Sequence, residues 1–144
     1  MPISIKTDII LQIAGELETG MLVFFHKDTG DLVYYPDESN HPYFEPLEWR
    51  KEINKVKKDS KKYLKFESMD AGQTIRMMNN FAGDIAHQTT RKNFEVALNH
   101  RKPFQAFKQL LQQTPGMQQS WYQYKTARYI QWVLDQLKAH NLEQ

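Results

Sequence analysis

Residues 21–36, MLVFFHKDTGDLVYYP, constrain the fold more than any other stretch of this sequence. Two runs rich in β-branched and aromatic residues, 21–26 and 31–35, flank a turn that contains Gly30, a residue suited to the left-handed turn conformation. The pattern predicts a β-hairpin. Successive side chains of a strand point to opposite faces, so the first strand would be apolar on both: Leu22 and Phe24 on one, Val23 and Phe25 on the other. Both faces therefore need a cover, either from this chain or, on one side, from a partner.

The spacing of apolar residues elsewhere predicts helices and one further strand. The predicted helices run from Thr7 to a stop at Gly20, over about 46–59, from a cap at Ser68 or Asp70 to about Ile85, over 90–100, from Pro103 to Pro115-Gly116, and from a cap at Ser120 to about His140; the strand covers 63–67. This order predicts an α+β fold, with a small antiparallel sheet (the hairpin plus one strand) packed by a mainly helical C-terminal half. We expect one domain over 1–144, with an α+β part over about 1–68 and a helical part over about 69–142.

Composition narrows the class of protein. With 144 residues and no cysteine, the chain can bury about two-thirds of its unfolded surface but cannot form disulfides, thiolate zinc sites or thiol nucleophiles. No apolar run reaches the ~20 residues of a membrane span, and the first residues lack the basic region of a signal peptide. We expect a cytoplasmic protein that does not associate with membranes.

Charge is distributed unevenly along the chain, although the net charge is only +2. Residues 50–65, RKEINKVKKDSKKYLK, hold eight basic and two acidic side chains. Residues 1–49, in contrast, hold two basic and nine acidic side chains. A helix over this segment would turn Trp49, Ile53 and Val56 inward and its lysines outward. The candidate polyanion-binding residues are Lys51, Lys55, Lys58 and Lys62. The alternative is that these lysines are only the solvated face of an ordinary helix.

The last predicted helix carries aromatic residues on two sides within residues 121–132, WYQYKTARYIQW. On a helical wheel, one broad face is predicted to be core and includes Tyr122, Tyr129 and Val133. The opposite face holds Trp121, Lys125, Arg128 and Trp132. These four are the candidate residues for binding a protein partner, because tryptophan and arginine are common interface anchors. The alternative is that the tryptophans are buried, with the cations reaching out to solvent.

Signals for catalysis are weak. The sequence contains no nucleophile elbow, P-loop, dinucleotide fingerprint or HExxH motif. Asp84 and His87 would share a helix face, but a metal site needs at least three ligands, and only Glu95 or Glu67 suggests a third. We therefore expect no catalytic residues, no metal ligands and no cofactor, and we interpret this pair as surface or capping groups.

The C-terminal half resembles a known group of sequences. The stretch RKPFQAFKQLL contains an Arg-x-x-Phe-x-x-Phe-Lys pattern, and SWYQY and RYIQW follow it closely. These motifs are similar to those of an uncharacterised protein family of small bacterial proteins, in which such a helix precedes a Trp-Tyr pair and a terminal aromatic helix. The resemblance implies the fold and a bacterial source. It implies no activity, because the family has none assigned.

Together these features favour a non-catalytic binding or regulatory module that docks a protein partner of unknown identity. Nucleic-acid binding through residues 50–65 is the alternative, and a metal-dependent enzyme is a third hypothesis. The sequence leaves open whether the chain forms a homo-oligomer.

Overall fold

The computed structural model describes residues 2–143, which form a three-stranded antiparallel sheet and six α-helices. The elements are α1 (Thr7–Glu18), β1 (Met21–His26), β2 (Leu32–Pro36), α2 (Arg50–Lys58), β3 (Tyr63–Phe66), α3 (Ala71–Gly83), α4 (Gln88–Leu98), α5 (Pro103–Gln113) and α6 (Met117–Leu142). Short 3₁₀ turns at Pro46–Trp49 and Ser60–Lys62 flank α2. The predicted α+β class is confirmed, as are the hairpin and the third strand.

The chain divides into two compact units. The first contains the residues up to Ser68 together with those from Tyr129 onward, and the second is Met69–Arg128. The sequence placed the change from the α+β part to the helical part at the same point, after residue 68. The C-terminal portion of α6, however, groups with the sheet. The expectation of a single domain remains a prediction.

In the first unit, β1 is the central strand, between β2 and β3. One face of the sheet packs against α2 through a cluster of Phe24, Val33, Val56 and Tyr63. Neighbouring side chains alternate between faces, so Val23 and Phe25 lie on the opposite side of β1. The helix that packs against β1, α1, buries Ile13 and Leu17. Elements of this chain therefore cover both apolar faces of the hairpin strand.

Side chains of α6, rather than another strand, bond to backbone groups of Lys65 and Glu67 at the C-terminal end of β3. Trp132 donates its indole N–H to the carbonyl oxygen of Glu67 at 2.7 Å. The Gln136 amide donates to the same oxygen at 3.0 Å and accepts from the Glu67 N–H at 2.9 Å. His140 Nε2 lies 2.8 Å from the carbonyl oxygen of Lys65. These three side chains recur every four residues, so one stripe of α6 occupies three backbone groups that an exposed edge would offer to another chain.

The second unit is built around aromatic rings. Phe81, Phe94 and Phe107 pack edge to face with centroids 5.5–6.3 Å apart. Trp121 packs on two of them, at 5.2 Å from Phe81 and 4.9 Å from Phe107. These spacings lie in the range favoured by aromatic pairs, and the cluster is the core of this unit.

Side-chain caps start α3 and α4, and two helix starts correct the sequence prediction. Asp70 caps α3 in a capping box with Gln73, one of the two predicted caps. Ser120 does not cap α6, which begins three residues earlier at Met117, because Gly116 adopts a φ of +81° and ends the preceding turn. The helix predicted over 46–59 is wrong in its first turn, which is 3₁₀.

Candidate functional site

The basic residues of α2 lie on one side of the helix. Val56 is buried against the sheet and Ile53 is half-buried. At 3.6 residues per turn, the five bases fall within a sector about 160° wide on the opposite side. All five side chains are exposed: Arg50, Lys51, Lys55, Lys57 and Lys58. We call this sector the basic face. The predicted outward orientation of Lys51, Lys55 and Lys58 is confirmed.

The acids near this segment do not neutralise the basic face. Lys62, in the turn after α2, pairs with Asp28 at 3.7 Å, and Lys65 on β3 pairs with Glu67 at 3.1 Å. Within residues 2–143, no ion pair involves any of the five bases of the basic face. Glu52 lies on the inner side of α2, where its Oε2 atom is buried without a hydrogen-bond partner among the described residues. The basic face therefore keeps its positive charge.

The four candidate residues on α6 have different surroundings. Trp121 is only 9% exposed and belongs to the aromatic core of the second unit. Trp132 is half-buried in the first unit and bonded to the edge of β3. Lys125 is half-buried and Arg128 is exposed. Contacts within the chain thus occupy both tryptophans, as the burial alternative expected.

The other face of α6 requires a correction. Tyr129 and Val133 are buried as predicted, but Tyr122 is 71% exposed. The helical wheel failed at Tyr122 because the core of the second unit approaches α6 from the Trp121 side, where Phe81 and Phe107 lie.

Asp84 and His87 both line a 470 Å³ cavity in the second unit, but the prediction that they share a helix face is wrong, because Asp84 caps the end of α3 and His87 caps the start of α4. His87 occupies the N-cap position of α4, and its Nδ1 accepts a hydrogen bond from the backbone N–H of Thr90 at 3.2 Å. Glu95, one of the suggested third ligands, pairs with Arg91. Among residues 2–143, no group of three or more histidine or carboxylate side chains could hold a metal ion.

Comparison with known proteins identifies the family of this chain. Residues 2–144 match the sequence profile of the Uncharacterised protein family UPF0158. The chain belongs to this family. A UPF0158 protein of Pseudomonas aeruginosa is 27% identical to it over 143 residues, which cover 99% of this chain and 86% of the relative. No solved structure matches the chain. Among residues 2–143, no helix combines the length and apolarity needed to cross a bilayer.

Sequence reasoning missed one feature of this UPF0158 chain, a cavity beside the start of α2. The loop before the helix forms an open cavity of about 260 Å³ with Tyr43, Phe44 and Trp49 among its lining residues. Tyr43 is 94% exposed and Leu47 is 78% exposed. Aromatic residues between Pro42 and Pro46 were the available signal, because prolines hold a loop extended and limit how its side chains can collapse.

Proposed function

We propose that this chain is a non-catalytic, cytoplasmic binding protein whose ligand is a nucleic acid, held through the basic face of α2. The observation that carries the proposal is the basic face itself. It holds five exposed bases on nine residues of helix, and none of them is paired with an acid of the described chain. Val56 is the only described residue of α2 that is fully buried, so the helix presents most of its circumference to a ligand.

The physical basis is counterion release. Each phosphate that a lysine or arginine neutralises frees condensed cations, so affinity falls steeply with salt. If all five bases contact phosphates, log K falls against log salt with a slope of about −3.5 for a single strand and −4.5 for a duplex.

A protein partner that docks on α6 has less support. Trp121 contributes its ring to the core of the second unit, and Trp132 bonds to the edge of β3. Lys125 and Arg128 alone lack the buried aromatic anchors that dominate protein interfaces.

The proposed function is tested with a triple substitution on the basic face, Lys51→Gln, Lys55→Gln and Lys58→Gln. Lysine and glutamine have similar helix propensities, so α2 should remain folded. The matched control is Lys92→Gln, Lys102→Gln and Lys108→Gln, which removes the same charge from exposed positions of the second unit. Affinity for a fluorescein-labelled oligonucleotide is measured by anisotropy across a salt series.

The basic-face variant should bind more weakly, and its salt slope should shrink to about −1.4 for a single strand and −1.8 for a duplex, because two bases remain. The control should keep the wild-type slope. The proposal is wrong if the wild-type protein shows no salt-dependent binding at low salt, or if the two triple variants lose affinity equally.

A further inference from the structure

We infer that the ligand of the basic face is single-stranded nucleic acid, and that one of its bases stacks in the cavity lined by Tyr43 and Trp49. This inference rests on the proposed function and names its substrate class. The two features are adjacent in the chain, because Trp49 immediately precedes Arg50, the first residue of α2. A strand that follows the basic face therefore reaches the cavity at the N-terminal end of the helix.

The cavity wall is fixed in place by the end of the preceding strand pair. His41 Nε2 lies 3.1 Å from the carbonyl oxygen of Thr19, and the Asp37 N–H donates to the carbonyl oxygen of Gly20 at 3.1 Å. Gly20 permits this approach, since a Cβ atom there would lie 2.9 Å from His41 Nε2. The loop that carries Tyr43 is thus anchored at its start, and a formed cavity costs less to occupy than one that must be ordered on binding.

The lining groups suit a base better than a phosphate. Tyr43, Phe44 and Trp49 offer ring faces, and every base can stack on an aromatic ring. The Asn40 amide and the Glu48 carboxylate supply hydrogen-bonding groups of the kinds that read base edges. The carboxylate would repel a phosphate. A volume of 260 Å³ lies below the ~300–1,000 Å³ typical of drug-sized ligands, as expected for a single ring system.

Stacking in the cavity requires an unpaired base. In a duplex the faces of the bases are covered by their neighbours, whereas single strands can place a base against a protein ring. Phosphates on the basic face and a base in the cavity match the combination of positive charge and stacking rings that characterises single-strand binding.

Exposed apolar side chains beside lysines also occur at membrane surfaces. A concave site that contains Glu45 and Glu48 would be costly to bury among acyl chains, so we favour the nucleic acid.

The experiment measures binding of an oligothymidylate of about 15 nucleotides, a length within reach of one binding site, and of a duplex of the same length. Tyr43→Ala is compared with Tyr122→Ala, which removes another exposed tyrosine ring, from the second unit. Tyr43→Phe serves as the conservative variant because it keeps the ring. The wild-type protein should bind the single strand more tightly than the duplex. Tyr43→Ala should weaken single-strand binding by about 5- to 150-fold, the loss of one stacked base.

Three further results are expected. Tyr122→Ala and Tyr43→Phe should bind as the wild type does. The salt slope of Tyr43→Ala should equal that of the wild type, because the phosphate contacts are unchanged, whereas the triple lysine variant changes the slope. Vesicles rich in phosphatidylserine should not compete with the oligonucleotide.

The outcomes separate the two proposals. The stacking inference is overturned if the protein binds single strand and duplex with equal affinity, or if Tyr43→Ala binds as the wild type does. Salt-dependent binding in either case would still support the proposed function. Absence of salt-dependent binding to either nucleic acid overturns both. If anionic vesicles bind the wild-type protein but not Tyr43→Ala, and no oligonucleotide binds, the ligand is a membrane surface and not a nucleic acid.

Discussion

Gln136 is the side chain of α6 whose removal best tests how the sheet edge is held. Its amide makes two hydrogen bonds to one residue, accepting from the Glu67 N–H at 2.9 Å and donating to the Glu67 carbonyl oxygen at 3.0 Å. In Gln136→Ala the carbonyl oxygen keeps its bond from Trp132 at 2.7 Å, but the N–H loses the partner that the side chain supplied. A typical hydrogen bond contributes about 0.5–1.5 kcal/mol net, so losing both should destabilise the protein by about 1–2 kcal/mol.

The assay is urea denaturation followed by far-ultraviolet circular dichroism, with thermal unfolding as a second measurement. Gln123→Ala is the matched control, because Gln123 is an exposed residue of the same helix. Both substitutions replace glutamine by alanine, so the change in helix propensity is the same and cancels when the two variants are compared. For a chain of this length the expected loss corresponds to a fall in Tm of about 3–7 °C. If Gln136→Ala proves as stable as Gln123→Ala, the side-chain contacts do not hold the edge of β3, and water must satisfy it equally well.

Three other predictions follow from the same packing. Trp121→Ala should cost about 3–5 kcal/mol of unfolding free energy, as expected for removal of a core ring, whereas Tyr122→Ala should cost less than about 0.5 kcal/mol; similar losses in urea denaturation would place Trp121 at the surface. Burial, reinforced by the negative charges of Asp59 and Asp31, raises the pKa of Tyr63 above 10.0. Because the tyrosine of the unfolded chain ionises first, the stability that Tyr63 contributes should be fully present below about pH 10 and should fall as the pH rises through the folded pKa. Urea midpoints across this range should fall less in Tyr63→Phe than in the wild type, and equal declines would contradict the raised pKa. Gly20→Ala should destabilise by about 1–2 kcal/mol, since the φ of +85° strains an alanine; an unchanged urea midpoint would show that the turn relaxes freely.

Much of the first unit could be predicted because its signals are local. Two β-branched runs around Gly30 specify a hairpin whatever surrounds them. The lysines of α2 were placed outward for a similar reason, since Val56 fixes the side of the helix that docks. The aromatic cavity was missed because Tyr43 and Trp49 are six residues apart in a loop with no period to reveal their proximity.

The sequence by itself determined the α+β class, the three strands, the six helices and the concentration of positive charge after residue 49. These depend on turn chemistry, capping and periodicity, which act within a few residues. Tertiary structure alone decided which side of α6 is core. A wheel separates two faces of a helix but cannot say which neighbours will reach them. Phe81 and Phe107 come to the Trp121 face, which leaves Tyr122 in solvent. The same long-range packing engages both tryptophans, whereas the five bases of the basic face form no ion pair within residues 2–143.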